Sequence, residues 1–374
     1  MIRFLHTSDL HLGKPFGGFP EEVRARLRQA RLDAIPRLAA AARDGGASHV
    51  LLAGDSFDQQ TPTPQTLRQA LNAMRGAGDL TWVLMPGNHD SLAATQIWPM
   101  IAADPPPNLV LALDAAPVDL APGVVLLPAP LPVRHPGRDL TDWMDAADTG
   151  AAIRIGLAHG GVHDFRAAEE ISDGPKGIIA PDRAARAGLD YLALGDWHGQ
   201  IRIGPQTWYS GTPEADSFGA APASALLVSI AGHGALPEVT PVETGALHWT
   251  RIALDLLPGE DGAAQHDRAL PALGQRAKCL LDLVATGRAS LSGRAALQSA
   301  VAAAQPDFLW HRADLSALAI SQTPEDLDLI APHGALRSAA EVLAAEAAAA
   351  PDAEKRDAAR GALARLFSYQ AEAQ

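Results

Sequence analysis

A layered α/β fold is what this 374-residue sequence predicts, and two observations predict it. Short aliphatic runs alternate with longer segments of helical spacing over the first two hundred residues. Five of those runs end directly in clusters of Asp, His, Asn or Gly. In open α/β sheets, sites gather beyond the carboxyl ends of the strands, so the polar chemistry stands where this architecture keeps it.

Residues 2–7, 49–53, 82–85, 153–158 and 191–194 each read as a buried strand. Between them, 21–43 and 64–75 carry helical spacing, with Thr63 as the cap and Pro64 at the first helical position. Pro-rich stretches at 104–108 and 128–132 punctuate an irregular insert with strands at 109–113 and 124–127. Runs at 208–211, 225–230 and 249–254 imply further strands and a second sheet. Near residue 245 the His and Asp clusters stop. We therefore expect a main domain over 1–245, a smaller α/β domain over 246–322 with a strand at 278–286 and a helix at 292–304, and a helical tail over 323–374. The tail should form helices at 334–349 and 353–369 around Pro351. Its stripe of Leu336, Val342, Leu343, Leu363, Leu366 and Phe367 should pack within the chain, a partner surface being the lesser alternative.

The single cysteine, Cys279, excludes a disulfide framework and a thiolate metal cluster. The start Met1-Ile2-Arg3-Phe4-Leu5-His6 lacks the apolar stretch of a signal peptide, and no apolar run approaches membrane-spanning length. A cytoplasmic protein with no membrane partner is expected. The formal charge of −13 argues at first against nucleic acid. It is unevenly spread, however: residues 1–100 balance at +1, 101–220 at −8 and 221–374 at −6. The arginines at 24, 26, 28, 31, 37 and 43 scatter around one predicted helix, so most read as solvated surface.

The five clusters are Asp9-Leu10-His11, Gly54-Asp55, Gly87-Asn88-His89-Asp90, His159 and Gly195-Asp196-Trp197-His198. Asp-x-His alone says nothing, because the composition yields it about once by chance. With only 3 Asn in the chain, Gly-Asn-His-Asp should arise in fewer than about one in a thousand such sequences. A tight turn accounts for Gly-Asn but not for the His-Asp that follows. Oxygen and imidazole donors without thiolate suit Mn²⁺, Fe or Zn²⁺. Two divalent ions about 3.5–4 Å apart meet the needs of phosphodiester hydrolysis, and a shared carboxylate must lie between them.

The ordered set resembles the calcineurin-like metallophosphoesterase superfamily. Within it, His6-Thr7-Ser8-Asp9-Leu10-His11-Leu12-Gly13, Gly54-Asp55-Ser56-Phe57-Asp58 and Trp208-Tyr209-Ser210-Gly211-Thr212-Pro213-Glu214 are similar to DNA-repair exonucleases of the SbcD type. The resemblance implies a β-sandwich flanked by helices, with a capping domain beginning near His248-Trp249. It assigns Asp9, His11 and His198 to one metal, Asp55 to the bridge, and Asn88 and His159 to the second metal. His89 becomes the general acid, oriented by Asp58 or Asp90, unless Asp90 caps the turn. His163 reads as a surface histidine and His6 as strand packing. One departure stands out: the family pattern is Gly-His-x-His, and here Asp196 occupies the place of a second-metal histidine. If Asp196 ligates, the added anion favours hard Mn²⁺ or Mg²⁺.

The resemblance further implies Mn²⁺-dependent cleavage of DNA, an SbcC-like coiled-coil ATPase partner bound partly through the C-terminal helices, and a homodimer. Because DNA affinity is largely phosphate electrostatics, the ATPase would supply much of the grip. Two alternatives are a related enzyme acting on a small phosphodiester such as a cyclic nucleotide, and a non-catalytic scaffold. A capping domain and a helical tail exceed what the former needs, and the near-complete ligand set argues against the latter.

Overall fold

The computed structural model describes residues 1–163, 178–320, 327–328, 330–349 and 352–372. They divide into two compact units, Met1–Leu247 and His248–Gln374. The boundary expected at 322 and the break at Pro351 lie outside the described residues.

In the first unit, strands β1 (Ile2–Thr7), β2 (His49–Leu52), β3 (Thr81–Leu84) and β4 (Leu109–Leu111) run parallel. Strands β5 (Val118–Ala121), β6 (Val124–Ala129), β7 (Ile153–His159), β8 (Tyr191–Gly195), β9 (Ile201–Arg202) and β10 (Thr207–Tyr209) make a second sheet, ordered β5-β6-β7-β8-β10-β9. Two antiparallel strands, β11 (Ser224–Ile230) and β12 (Glu238–Glu243), complete the first sheet as β12-β11-β1-β2-β3-β4. Phe4, Leu51, Val83, Leu126, Ile155, Tyr191 and Val228 fill the layer between the sheets. Alternation along each strand turns Leu5, Val50 and Leu84 outward onto helices that contribute Ile35, Leu38, Leu71 and Met74. Leu127, Leu192 and Leu194 likewise meet Ala184 and Ala187 on the far side. The result is a sandwich of two sheets with helices outside.

The helix from Pro64 to Arg75 forms as its sequence requires, with Thr63 Oγ1 accepting from Thr66 N at 3.1 Å. The single helix expected over 21–43 is instead two, Glu21–Leu32 and Ala34–Asp44. Pro36 explains the break, because it has no N–H to give the Leu32 carbonyl and is tolerated only in a first helical turn. Strands β5, β9 and β12 went unread. The last, Glu-Val-Thr-Pro-Val-Glu, is an edge strand whose polar residues and proline mask its period.

In the second unit, β13 (His248–Leu256), β14 (Cys279–Ala289), β15 (Trp310–Asp314) and β16 (Leu318–Ile320) form a parallel sheet around β14. Helix Leu291–Ala304 starts at a Ser290 cap, and Leu297 packs against Leu254, Leu256 and Leu283. The unexpected helix Gly262–Ala269 is capped by Asp261. Of the tail stripe, Leu363 and Phe367 are buried with Leu291 and Ile330, whereas Leu336 and Val342 are exposed. No helix among the described residues is long and apolar enough to cross a membrane.

Candidate metal centre

The carboxyl ends of β1, β2, β3, β7 and β8 converge, and the loop after each delivers its cluster. The loops are locked together by main-chain bonds: Asp9 N donates to Gly54 O (3.1 Å), His11 N to Asp55 O (2.9 Å) and Asp58 N to Leu12 O (3.1 Å). Asp9, His11, Asp55 and Asp196 adopt φ of +56°, +42°, +51° and +103°. Such left-handed non-glycine residues cost about 1–3 kcal/mol each and gather at functional sites. Gly87 is required for closeness, since a Cβ there would stand 2.2 Å from Asp55 Oδ1.

Three overlapping groups of side chains result among the described residues. Asp9, His11 and His198 bring ligand atoms within 4.8 Å of one another, and so do Asp9, Asp55 and His159, and His11, Asp58 and His89. His11 Nε2 lies 3.1 Å from His198 Nε2, 3.9 Å from Asp9 Oδ1 and 3.7 Å from Asp55 Oδ2. On the other side, His159 Nε2 lies 3.5 Å from Asp55 Oδ2 and 3.7 Å from Asp196 Oδ1. Asp196 Oδ1 accepts from Asn88 Nδ2 at 2.8 Å. Asp55 therefore faces both sides, and Asp196 stands among the residues of the second.

Two imidazoles are oriented by a hydrogen bond at Nδ1, and two more have a carboxylate near that atom. His159 Nδ1 donates to Ala53 O (2.8 Å), and His89 Nδ1 to Asp58 O (2.8 Å). His11 Nδ1 lies 3.2 Å from Asp58 Oδ1, and His198 Nδ1 3.4 Å from Asp216 Oδ2. His11 Nε2 and His198 Nε2 face each other at 3.1 Å, so with Nδ1 protonated on each ring both would present a lone pair to one divalent ion. His159 Nε2 and Asn88 Oδ1 are buried without a hydrogen-bond partner. Ligand histidines backed by a carboxylate or carbonyl are the usual metal arrangement. The residues present thus fit divalent ions on both sides.

The electrostatics agree. Burial would raise Asp55, but His159 and His11 hold it well below the usual carboxylate range. Burial would lower His159, but Asp55 first, then Asp9 and Asp196, hold its pKa well above the ordinary value. Burial first, then repulsion from Asp9 and Asp55 against the pull of His159, pushes Asp196 upward. His159 and, through Asp216 and Asp9, His198 are drawn toward their protonated forms, and a divalent ion would replace that positive charge.

Of the two residues expected to orient His89, Asp58 does so, with its main-chain carbonyl, its carboxylate being on His11. The Asp90 side chain does not orient His89 and takes the alternative role at the turn: Oδ1 accepts from Gly87 N (2.7 Å) and Oδ2 from Phe57 N (3.0 Å), tying the turn to the neighbouring loop. His6 is buried in β1, with Nδ1 accepting from the Tyr191 hydroxyl (3.0 Å) and Nε2 donating to Leu194 O (3.2 Å). His163 is exposed, and its main-chain N donates to Ile179 O at 2.8 Å.

Several supporting residues were missed. Arg31 is 1 % exposed rather than solvated, and donates to Glu214 O (2.8 Å) and Asp9 O (3.2 Å). The signal was present: Val23, Leu27 and Arg31 share one buried helical stripe. Ser8 Oγ donates to Asp9 Oδ2 (2.5 Å), and Asp216 backs His198.

Against known proteins, residues 2–233 match the calcineurin-like phosphoesterase family, more than half of the chain. The chain is 27% identical over 228 residues to the uncharacterized metallophosphoesterase YhaO of Bacillus subtilis (strain 168), covering 57% of this chain and 53% of that protein. Over 93 residues it is 33% identical to a component of the nuclease SbcCD of the same organism, covering 24% and 22%. Over 98 residues it is 36% identical to DNA double-strand break repair protein Mre11 of Haloferax volcanii, covering 26% and 21%. The matched stretch spans about half the length of the first relative and about a fifth of the other two. Among solved structures, TT1561 of Thermus thermophilus aligns with a TM-score of 0.41 and 11% identity, over 65% of this chain and 99% of that one. The chain belongs to the calcineurin-like phosphoesterase family of metal-dependent hydrolases.

Proposed function

We propose that this chain hydrolyses phosphodiester bonds of DNA with two divalent metal ions. One observation carries the reading. His89 and His159 donate Nδ1–H to main-chain carbonyls, His11 and His198 have Nδ1 3.2 and 3.4 Å from a carboxylate, and three of the four stand beside carboxylates that face both sides of one centre. Asp9, His11 and His198 would hold one ion, Asn88, His159 and Asp196 the other, and Asp55 both. When bound, the ions acidify water and neutralise charge on the phosphoryl oxygens. The carboxylate of Asp196 adds negative charge to the second set, which favours hard Mn²⁺ or Mg²⁺ over Zn²⁺ or Fe.

His89 does the proton work. Its Nδ1–H is held by the Asp58 carbonyl, so in the imidazolium form Nε2–H is the free acid, given to the leaving oxygen as its bond to phosphorus breaks. Asp58 acts twice, fixing His89 through its carbonyl and His11 through its carboxylate.

The partial likeness to proteins named as a nuclease and as a double-strand break repair protein supports DNA as the substrate. Residues 246–322 then serve as a capping domain and 323–374 as a helical tail, on which an SbcC-like coiled-coil ATPase would dock. The chain would work in the cytoplasm as a homodimer. The test is Mn²⁺-dependent hydrolysis of linear duplex DNA and of bis-p-nitrophenyl phosphate, with and without such an ATPase. Cleavage of both substrates is expected. Hydrolysis of the small ester alone, with the ATPase present, would overturn the DNA assignment in favour of a small phosphodiester such as a cyclic nucleotide.

A further inference from the structure

Lys14 brings a partly exposed positive charge to the edge of the centre. Leu12 N donates to Ser56 O (2.9 Å), Lys14 N donates to His11 O (3.2 Å), and Gly13 turns the chain with φ +88°. The main chain of Lys14 is thus fixed three residues from His11, while its side chain stays 29% exposed. Its Nζ rests on Asp216 Oδ2 at 2.6 Å. The same oxygen lies 3.5 Å from Arg31 Nη2 and 3.4 Å from His198 Nδ1.

Arg31 is buried, always charged, and stays beside Asp216 whatever Lys14 does. Glu214, the other buried carboxylate here, pairs with Arg37 and accepts from Ala246 N (2.9 Å). Of the two cations on Asp216, Lys14 is the partly exposed one. It is also the mobile one: an ammonium on a flexible stem, whose partly exposed ion pair contributes little.

We propose that Lys14 is a substrate-contact residue whose ammonium leaves Asp216 to engage a phosphate flanking the one hydrolysed. The ligand class is a polyanionic nucleic-acid backbone, so the inference rests on the DNA reading above. Arg31 stays behind to keep Asp216 ionised and His198 oriented.

The experiment compares wild type, Lys14→Ala and Lys14→Arg in steady-state cleavage of a short duplex across a series of NaCl concentrations. Bis-p-nitrophenyl phosphate serves as the substrate without flanking phosphates, and a Mn²⁺ titration accompanies each protein. For Lys14→Ala, KM for the duplex should rise about tenfold with kcat nearly kept, and the plot of log(kcat/KM) against log[NaCl] should flatten by about 0.9. The ratio of duplex to small-ester kcat/KM should fall about tenfold, and Lys14→Arg should restore most of it. An unchanged KM and salt slope in Lys14→Ala, with wild type active, would overturn the proposal. So would a loss confined to kcat and Mn²⁺ affinity, which marks a counter-ion that only steadies Asp216 and His198. Wild type that hydrolyses the small ester but no duplex would fail the DNA reading itself, and this proposal with it.

Discussion

The two sides of the centre hold their imidazoles in place by different means. On the first side carboxylates stand behind the rings, Asp58 behind His11 and Asp216 behind His198. On the second side the fold itself does so: His159 is the last residue of β7, and Ala53 O, just past β2, takes its Nδ1–H. A carboxylate behind an imidazole raises its basicity as a ligand, whereas a carbonyl mainly fixes its direction. The second side brings its charge in directly, through Asp196 beside Asn88 and His159. Similar charge thus enters from behind the ligands in one case and among them in the other.

Asp55 is common to both sides, so Asp55→Asn should have the largest effect. We expect a loss of at least ~10³ in kcat/KM, with calorimetry showing less than two Mn²⁺ bound per chain. His89→Gln should cost ~10²–10³ in kcat while Mn²⁺ binding stays as in wild type, as the acid role proposed for His89 requires. Two variants separate the sides. Asp216→Asn should weaken Mn²⁺ at the tighter or looser step alone by ~10–100-fold. Asp196→His should affect the other step and shift preference from Mn²⁺ toward Zn²⁺ several-fold. If both variants perturb the same step, the contrast between the sides is wrong.

The smallest expected effect lies beneath the site. Burial lowers the pKa of His6 to about 3, against the raising effect of the Leu194 carbonyl. The unfolded chain binds a proton on this residue below pH ~6.5 and the folded chain does not until pH ~3, so stability is fully present above that window and falls as pH drops through it. The cost approaches ~1.4 kcal/mol per pH unit. Denaturant unfolding of His6→Gln between pH 6.5 and 4 should show a shallower loss than wild type by about one proton. An unchanged slope would mean that His6 is charged in the fold.

Much of this centre was legible in the sequence because its residues follow strand ends. Aliphatic runs mark the strand ends and the rare tetrapeptide marks Asn88 and His89, while the roles of Asp9, Asp55, His159 and His198 came from the resemblance. What stayed hidden depends on long-range contacts. Asp216 reaches His198 across a loop with no period of its own, and the partner of His89 is a carbonyl, which every residue carries. Arg31 was misread because an arginine in a helix is usually solvated, although its stripe with Val23 and Leu27 marked the buried face. The division of the helix at Asp33 was readable from Pro36 alone. Edge strands such as β12 have one face in water and too little apolar period to stand out.

The central claim is that Asp55 couples two metal sites in one centre. Its most direct test is a Mn²⁺ titration of the purified chain followed by calorimetry and electron paramagnetic resonance. The account predicts two Mn²⁺ per chain with a spin-coupled signal that disappears in Asp55→Asn. One uncoupled Mn²⁺ in wild type, or a coupled pair that survives in Asp55→Asn, would contradict it.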